Sequence, residues 1–193
     1  MLGINLSGVD SAGGFRRPEA GGYVVRITKA INNPKNTRIE MEFDIIEGEF
    51  AGYYADLKGR AGFWGGTFSK SYSPKALPFL KSFIELVREC NPDTTGLVIG
   101  DFEDIDETKL VGMVIGMVVG EQEYMGNDGK VKTRLDWYNA DYCTPDDIRA
   151  HNYTVPEFKP MEENAAPSGT RVTDTTQPDP VQGFQQVDND LPF

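Results

Sequence analysis

The chain has few of the residues from which catalytic and metal sites are built. Its 193 residues include two cysteines, Cys90 and Cys143, and a single histidine, His151. Two distant cysteines do not make a disulfide framework and fit a reducing compartment, and no pair among the three residues has metal-ligand spacing. Nucleophile elbows, phosphate loops and Cys–His arrangements are also missing. We therefore expect no enzymatic activity, no cofactor and no bound metal.

Long apolar runs are missing as well. No stretch approaches the roughly 18 apolar residues that a membrane span requires, and residues 1–6 lack the basic flank and apolar core of a signal peptide. We therefore expect a cytoplasmic protein. The acidic stretch 101–107 lacks the spaced oxygen ligands of a calcium loop, so we interpret it as a solvated connector.

The formal net charge of −11 is distributed unevenly along the chain. Residues 15–81 carry eleven Lys and Arg against seven Asp and Glu, residues 82–128 carry two against eleven, and residues 156–193 carry two against seven. An acidic total therefore does not exclude a local basic surface for nucleic acid. As a hypothesis from this charge split, the acids of the last segment occupy that surface when nucleic acid is absent.

Alternating apolar residues predict strands over 23–28 and 38–45, on either side of a turn at 32–36. Residues 53–57, after two glycines, read as a third strand. A helical period between Leu77 and Val87 predicts a helix that is capped near Ser73 and stopped by Asn91 and the proline that follows it.

The second half of the chain reads as strands again. We expect an apolar strand over 111–119 that extends to Met125, a tight turn at 127–129 and a returning strand over 130–140. Trp137 shares a strand face with Val131 and Leu135, so we assign it to the core. Residues 144–150 start a final helical turn.

Three strands, a helix and a hairpin of two strands are the element order of an OB-fold. We therefore expect a mainly β, OB-fold-like five-stranded barrel with a helix between strands 3 and 4. A plain α+β sandwich would give the same local signals.

Residues 58–72 form a basic, aromatic, glycine-rich segment that contains no acid. Single-stranded DNA is held by cations that track phosphates and by aromatic faces on which bases stack, and we expect this segment to supply both. The predicted DNA-binding residues of this segment are Lys58, Arg60, Phe63, Trp64, Phe68, Lys70 and Tyr72. The cations of the two hairpins form a second predicted set, which consists of Lys35, Arg38, Lys130, Lys132 and Arg134. The alternative is a loop whose aromatics fold back into a small core, with solvated surface cations.

Residues 156–187 are polar, rich in Pro, Gln, Thr and Ser, and have no hydrophobic period, so we expect a disordered linker. They carry an acidic tip, residues 188–193, that ends in an aromatic residue. An aromatic on a solvated segment has no core to join there, so we interpret the tip as a ligand for a pocket on a partner protein. The predicted partner-binding residues are Asp188, Asp190, Leu191, Pro192 and Phe193.

The expected organisation has four parts. A flexible arm occupies residues 1–14, the OB-fold domain residues 15–155, the linker residues 156–187 and the interaction tip residues 188–193.

The tip, joined through a polar linker to an OB-like body, resembles the acidic, Pro-Phe-ending tip of phage and bacterial single-stranded DNA-binding proteins. Residues 1–150 carry no motif of that family, and the long body with an insert around its helix suggests a divergent phage-encoded member. The resemblance implies sequence-independent binding of single-stranded DNA in replication, recombination or repair, and recruitment of partner enzymes by the tip. The sequence is compatible with a homo-oligomer but does not give the oligomeric state. Two alternatives remain: an adaptor or recombination mediator that does not bind DNA directly, and an OB-type binder of RNA or oligosaccharide.

Overall fold

The computed structural model describes residues 16–62 and 65–161. Its first two strands, β1 (Gly21–Asn33) and β2 (Arg38–Ile45), form an antiparallel hairpin. β2 has the predicted bounds, because its alternation buries every second residue. β1 runs five residues further than the alternation predicted. A register shift between Ile27 and Lys29 explains the difference, since it breaks the period-2 pattern without ending the pairing.

The third predicted strand, 53–57, is wrong: these residues begin helix α1 (Tyr53–Ala61). Tyr54 and Leu57 lie three residues apart and are both buried, which a helix achieves on one face and a strand does not. Gly52 and Gly62 flank the helix with φ of 79° and 77°, a left-handed conformation that glycine adopts without strain. The β propensity of the adjacent tyrosines is therefore overridden by packing.

The true third strand, β3 (Thr67–Ser71), lies within the basic, aromatic segment 58–72, to which sequence reasoning assigned no strand. Helix α2 (Leu77–Cys90) follows and buries Leu80, Phe83, Ile84 and Val87, the period that predicted it. The helix starts later than the predicted cap at Ser73. Its N-cap residue is Ala76, which makes no side-chain cap hydrogen bond, and Pro78 lies in the first turn.

An insert follows α2. Two short strands, β4 (Val98–Ile99) and β5 (Asp104–Ile105), pair with each other and lead into a 3₁₀ turn, Glu107–Leu110. The ring of Phe102 lies 5.0 Å from Lys81 Nζ and 5.6 Å from the Arg88 guanidinium carbon, so two cations of α2 hold this acidic insert.

The predicted second hairpin is present, with different bounds. β6 (Val114–Val119) continues as β7 (Glu121–Met125), which turns into β8 (Val131–Leu135). The returning strand was predicted to reach residue 140, but a 3₁₀ turn at Trp137–Asn139 ends it. Trp137 is in the core as predicted, whereas Val131 is 50% exposed, so the two do not share a face. β9 (Asp141–Cys143) and α3 (Pro145–Arg149), which begins with a capping box at Thr144, complete the body.

The main sheet is a strongly curled, five-stranded antiparallel half-barrel in the order β3-β2-β1-β6-β9. The sheet curls along its long central strand, β1. The first six residues of β1 pair with β6, and residues 25–33 pair with β2. The mainly β class and the helix after the third strand are confirmed. In the described residues the edge strands β3 and β9 share no ladder, and aromatic side chains fill the gap: the ring centroids of Phe68 and Tyr142 are 5.9 Å apart.

After α3 the chain returns to the second hairpin. Lys159 pairs in parallel with Gln122 of β7, so the described body continues past residue 155 to Met161. The predicted arm 1–14, residues 162–187 of the linker and the tip 188–193 lie outside the described residues, and these assignments stay predictions. Among the described helices, none has the length and apolar character that a membrane crossing requires.

Candidate nucleic-acid interface

The outer face of the first three strands carries mostly polar side chains, with one exposed isoleucine, in three cross-strand rows. The inward residues of β2 are buried, so the residues between them, and their partners on β1 and β3, face outward. The rows are Asn33–Arg38–Ser71, Ile31–Glu40–Ser69 and Lys29–Glu42–Thr67.

Two acids lie at the centre of this outer face, and both have partners. Glu40 is 7% exposed and accepts a 2.8 Å hydrogen bond from Asn33 Nδ2. Glu42 lies 2.9 Å from the ammonium of Lys29, a cation that sequence reasoning missed. The centre of the face therefore carries one ion-paired carboxylate, one carboxylate hydrogen-bonded to a neutral amide, and the hydroxyl groups of β3, with the predicted Arg38 at one end.

Phe68 cannot serve as the predicted stacking residue. It lies opposite Met41 of β2, on the inward side of β3, and is 1% exposed. Tyr72 is half-buried, and its hydroxyl donates a 2.9 Å hydrogen bond to Asn32 Oδ1. Phe63 and Trp64 lie outside the described residues.

Lys70 is also turned inward, because it lies opposite Ile39 of β2. Its Nζ is 3.7 Å from the ring centroid of Tyr142 and 5.2 Å from that of Phe83. Burial lowers the pKa of Lys70 to about 8, and the Asp141 carboxylate opposes this effect. Lys70 therefore packs into the gap between the edge strands and is not the exposed phosphate ligand that was predicted.

Tyr142, beneath that ammonium, is held in the same gap. Burial, and to a lesser degree the charge of Asp141, raises the pKa of its hydroxyl. The buried hydroxyl oxygen finds no hydrogen-bond partner within the described residues.

The β7–β8 hairpin brings together a second set of predicted residues. Gln122 lies opposite Arg134, and Tyr124 lies opposite Lys132, so these four side chains share one face. The guanidinium carbon of Arg134 is 4.9 Å from the ring centroid of Tyr124. In the orientation that turns the Gln122 amide oxygen toward Arg134, this oxygen accepts hydrogen bonds from Arg134 Nε at 3.1 Å and Nη2 at 3.2 Å. The arginine is thereby fixed over the ring.

The acids of this hairpin lie elsewhere. Glu121 and Glu123 alternate with Gln122 and Tyr124 and point to the opposite face. Asp128, in the turn, lies 3.5 Å from Lys132 Nζ, and its pKa is lowered, chiefly by the hydrogen bond that it accepts from the Lys130 N–H. The face that carries Gln122, Tyr124, Lys132 and Arg134, here called the aromatic face, therefore has two cations and no acid from its own two strands.

Tyr138 connects this hairpin to strand β3 of the main sheet. It follows β8, is 47% exposed, and its hydroxyl oxygen lies 3.4 Å from Thr67 Oγ1 at the start of β3. Tyr138 was not among the predicted DNA-binding residues. Adjacent residues of a strand point to opposite sides, so the assignment of Trp137 to the core was the signal that Tyr138 faces outward.

The predicted residues therefore fall into separate groups. The hairpin set consists of Lys130, Lys132 and Arg134, whereas Lys58 and Arg60 belong to α1, where Lys58 is exposed. Lys35 and Arg38 lie at the other end of β2. Four residues of strand separate Arg38 from the row of Thr67, about 13 Å.

The described residues contain no group of three or more His, Cys, Asp or Glu side chains that could hold a metal ion. Burial raises the pKa of the Cys90 thiol to about 11 and also raises that of Cys143, which keeps both thiols protonated at neutral pH.

Neither a protein-family model nor a curated protein sequence matches this chain.

Proposed function

We propose that this protein binds single-stranded DNA without sequence preference during replication, recombination or repair, and that its body is an OB-fold. The curled five-stranded half-barrel, with its helix after the third strand, supports the fold assignment. In OB-folds, nucleic acid lies on the face of strands 2 and 3 and on the loops between strands 1 and 2 and between strands 4 and 5. Here those loops are the turn at Lys35 and the β7–β8 hairpin.

The observation that carries the proposal is the aromatic face of that hairpin. Tyr124 supplies a ring, Arg134 lies over it, and Lys132 stands beside it, with no acid of either strand on the same side. Bases stack on rings and on guanidinium planes, and phosphates pair with the cations. Tyr138 offers a second exposed ring where the hairpin meets β3.

Partner recruitment belongs to the same proposal. It rests on the acidic, aromatic-ended tip at 188–193 and on the resemblance of that tip to those of phage and bacterial single-stranded DNA-binding proteins. In this scheme the body holds the strand, and the tip brings the enzyme that acts on it.

The proposal is tested by binding of the full chain to oligo-dT over a range of salt concentrations. Tyr124→Ala should weaken binding by roughly 5- to 150-fold, the equivalent of one stacked base at about 1–3 kcal/mol, and leave the salt dependence unchanged. Lys132→Ala/Arg134→Ala should lower the slope of log affinity against log salt by about 1.4, since each phosphate contact contributes about 0.7.

Lys81→Ala/Lys109→Ala is the matched control, because it removes the same charge from α2 and the insert. Equal slopes for the two double variants would contradict the assignment of this face. If the unaltered chain does not bind oligo-dT at about 50 mM salt, DNA binding itself is refuted and the adaptor alternative is favoured.

A further inference from the structure

Lys70 enters the gap between the two edge strands, β3 and β9, without a polar partner. No hydrogen bond or ion pair joins its ammonium to another described residue. Its contacts are with two rings, since Nζ lies 3.7 Å from the ring centroid of Tyr142 and 5.2 Å from that of Phe83. An ammonium in these surroundings has lost part of its hydration, and the ring faces replace only part of what it has lost.

Asp141 of β9 is the charged group that acts on Lys70 from the described elements around it. Its carboxylate favours the ammonium, whereas burial favours the free amine and has the larger effect, so the pKa of Lys70 falls to about 8. Ile39 of β2, opposite Lys70, and Phe83 of α2 carry no charge. The geometry of the gap thus favours an uncharged side chain.

Tyr142 contributes a second unsatisfied polar group to the same gap. Its hydroxyl oxygen is buried and has no hydrogen-bond partner among the described residues, although buried hydroxyl groups normally have one. Lys70 lies over the ring, and an ammonium has no acceptor to which the hydroxyl could donate. An amide formed on the lysine nitrogen would supply a carbonyl oxygen for this hydroxyl.

We propose that Lys70 is a site of N-acylation by small acyl phosphates. The unprotonated Nζ attacks the acyl carbon, a C–N bond forms, and the C–O bond to the phosphate breaks. One proton passes from the nitrogen to the departing phosphate, and no oxidant or reductant takes part. A lysine that is desolvated among apolar groups is an activated nucleophile, because its free amine is populated near neutral pH.

The acylated side chain suits the gap better than the ammonium does. Acylation removes the charge at every pH, so the cost of burying it disappears. The new carbonyl oxygen is an acceptor beside Tyr142, whose hydroxyl can then donate. In the described residues no ladder joins β3 to β9, so the added atoms displace no main-chain hydrogen bond between these strands.

Acetyl phosphate, applied to the full chain without nucleic acid, tests this site independently of DNA binding. Peptide mass spectrometry follows the acetylation of Lys70 and of Lys75, an exposed lysine that serves as the internal reference. At pH 7.5 roughly a quarter of a group with a pKa of about 8 is unprotonated, against about 0.1% of an ordinary solvated lysine. We expect Lys70 to react at least about fivefold faster, because its lower basicity and its partial burial remove only part of this advantage.

The pH profile and unfolding distinguish an amine activated by the fold from one that is merely exposed. The rate at Lys70 should level off above about pH 8, whereas the rate at Lys75 should keep rising to about pH 10. In urea at a concentration that unfolds the chain, the two lysines should react equally. A rate at Lys70 that is equal to or below that at Lys75 in the folded chain, or a preference that survives unfolding, would overturn the proposal.

Two substitutions test the surroundings of the amine. Asp141→Asn removes the charge that favours the ammonium and should make acetylation of Lys70 at pH 7 at least about twofold faster, whereas Asp104→Asn, at an exposed acid of the insert, is the matched control and should not change it. Tyr142→Phe keeps the ring and removes the hydroxyl. Acetylation of Lys70 should therefore raise the urea midpoint of the native chain more than that of Tyr142→Phe. An unchanged rate in Asp141→Asn, or equal midpoint shifts with and without the hydroxyl, would also overturn the assignment.

Discussion

Replacing Lys70 by methionine should stabilise the body at neutral pH and change how its stability depends on pH. The fold holds the ammonium of Lys70 over the ring of Tyr142 at 3.7 Å, and burial lowers its pKa from 10.5 to about 8. Methionine keeps an unbranched side chain that packs well against aromatic rings, and it removes the charge. The cost of burying that charge is therefore relieved.

The sign of the pH effect follows from proton binding in the two states. Below pH 8, Lys70 is charged in the folded and the unfolded chain, and the folded state bears the full cost. Between about pH 8 and pH 10.5 only the unfolded state keeps the proton, so the free energy of unfolding rises with pH. The contribution of Lys70 to instability is thus present at low pH and disappears as pH rises through this window.

The difference between 10.5 and about 8 corresponds to about 3 kcal/mol as an upper bound. Lys70 is only partly buried, and solvent screening reduces that cost. The attraction between ammonium and ring, about 0.5–2 kcal/mol, is lost in the variant and reduces the gain further. We therefore expect Lys70→Met to gain about 1–2 kcal/mol at pH 7, and less at pH 9.

Denaturant unfolding of the full chain and of Lys70→Met, between about pH 6.5 and pH 9, measures this quantity. The difference between the two proteins isolates Lys70, because groups such as Cys90 and Tyr23 contribute to both. Burial raises the pKa of these two groups to about 11 and about 12, so they destabilise the fold as pH rises. Lys75→Met, at an exposed lysine, is the matched control and should show no pH-dependent difference.

A constant difference between Lys70→Met and the native chain across this range would contradict a buried ammonium at Lys70, because a solvated ammonium would give that result. A loss of stability at pH 7 would refute it as well. A phosphate ligand at Lys70, as the sequence predicted, would instead show itself as a lower salt slope in oligo-dT binding, by about 0.7.

Two further substitutions test the packing that supports the site. Asn91→Ala should lower the free energy of unfolding by about 2–4 kcal/mol in denaturant titration, because the Asn91 side chain donates to the Val114 carbonyl at 2.8 Å and accepts from its N–H at 2.9 Å; an unchanged midpoint would contradict this role. Gly116→Ala should cost about 1–3 kcal/mol, because its Cβ would lie 2.8 Å from the Thr144 carbonyl oxygen, whereas Gly21→Ala meets nothing within 4 Å and should have little effect.

The parts of the fold that sequence predicts are those with one buried side. The alternation of β2, the helical period of α2 and the turn at 127–129 each record a local pattern that the final packing preserves. The error at 53–57 has a different origin. Tyr54 packs against Phe43 and Trp137, with centroids 5.3 and 6.2 Å away, and these contacts select the helix although adjacent tyrosines favour a strand.

The candidate site was harder to predict, because the facing of β3 depends on residues far along the chain. Thr67–Ser71 alternates a hydroxyl with Phe68 or Lys70, and a lysine beside a phenylalanine is not a hydrophobic period. The inward side of β3 is a suitable environment for an ammonium because Phe83 of α2 and Tyr142 of β9 pack against it. The hairpin cations, in contrast, lie on a two-stranded element whose register the turn itself fixes.

If DNA binds as proposed, the acids of β2 restrict where the strand gains charge contacts. Glu42 is paired with Lys29, and Glu40 is hydrogen-bonded to the neutral amide of Asn33, so the middle of the outer face adds no net positive charge. Phosphate contacts should then concentrate at the two ends of this face. Five predicted cations are available there, namely Lys35, Arg38, Lys130, Lys132 and Arg134. At about 0.7 per contact, the salt slope in the oligo-dT assay has a ceiling near 3.5. A steeper slope would require cations outside this path, such as Lys58 and Arg60 of α1 or Lys75 between β3 and α2.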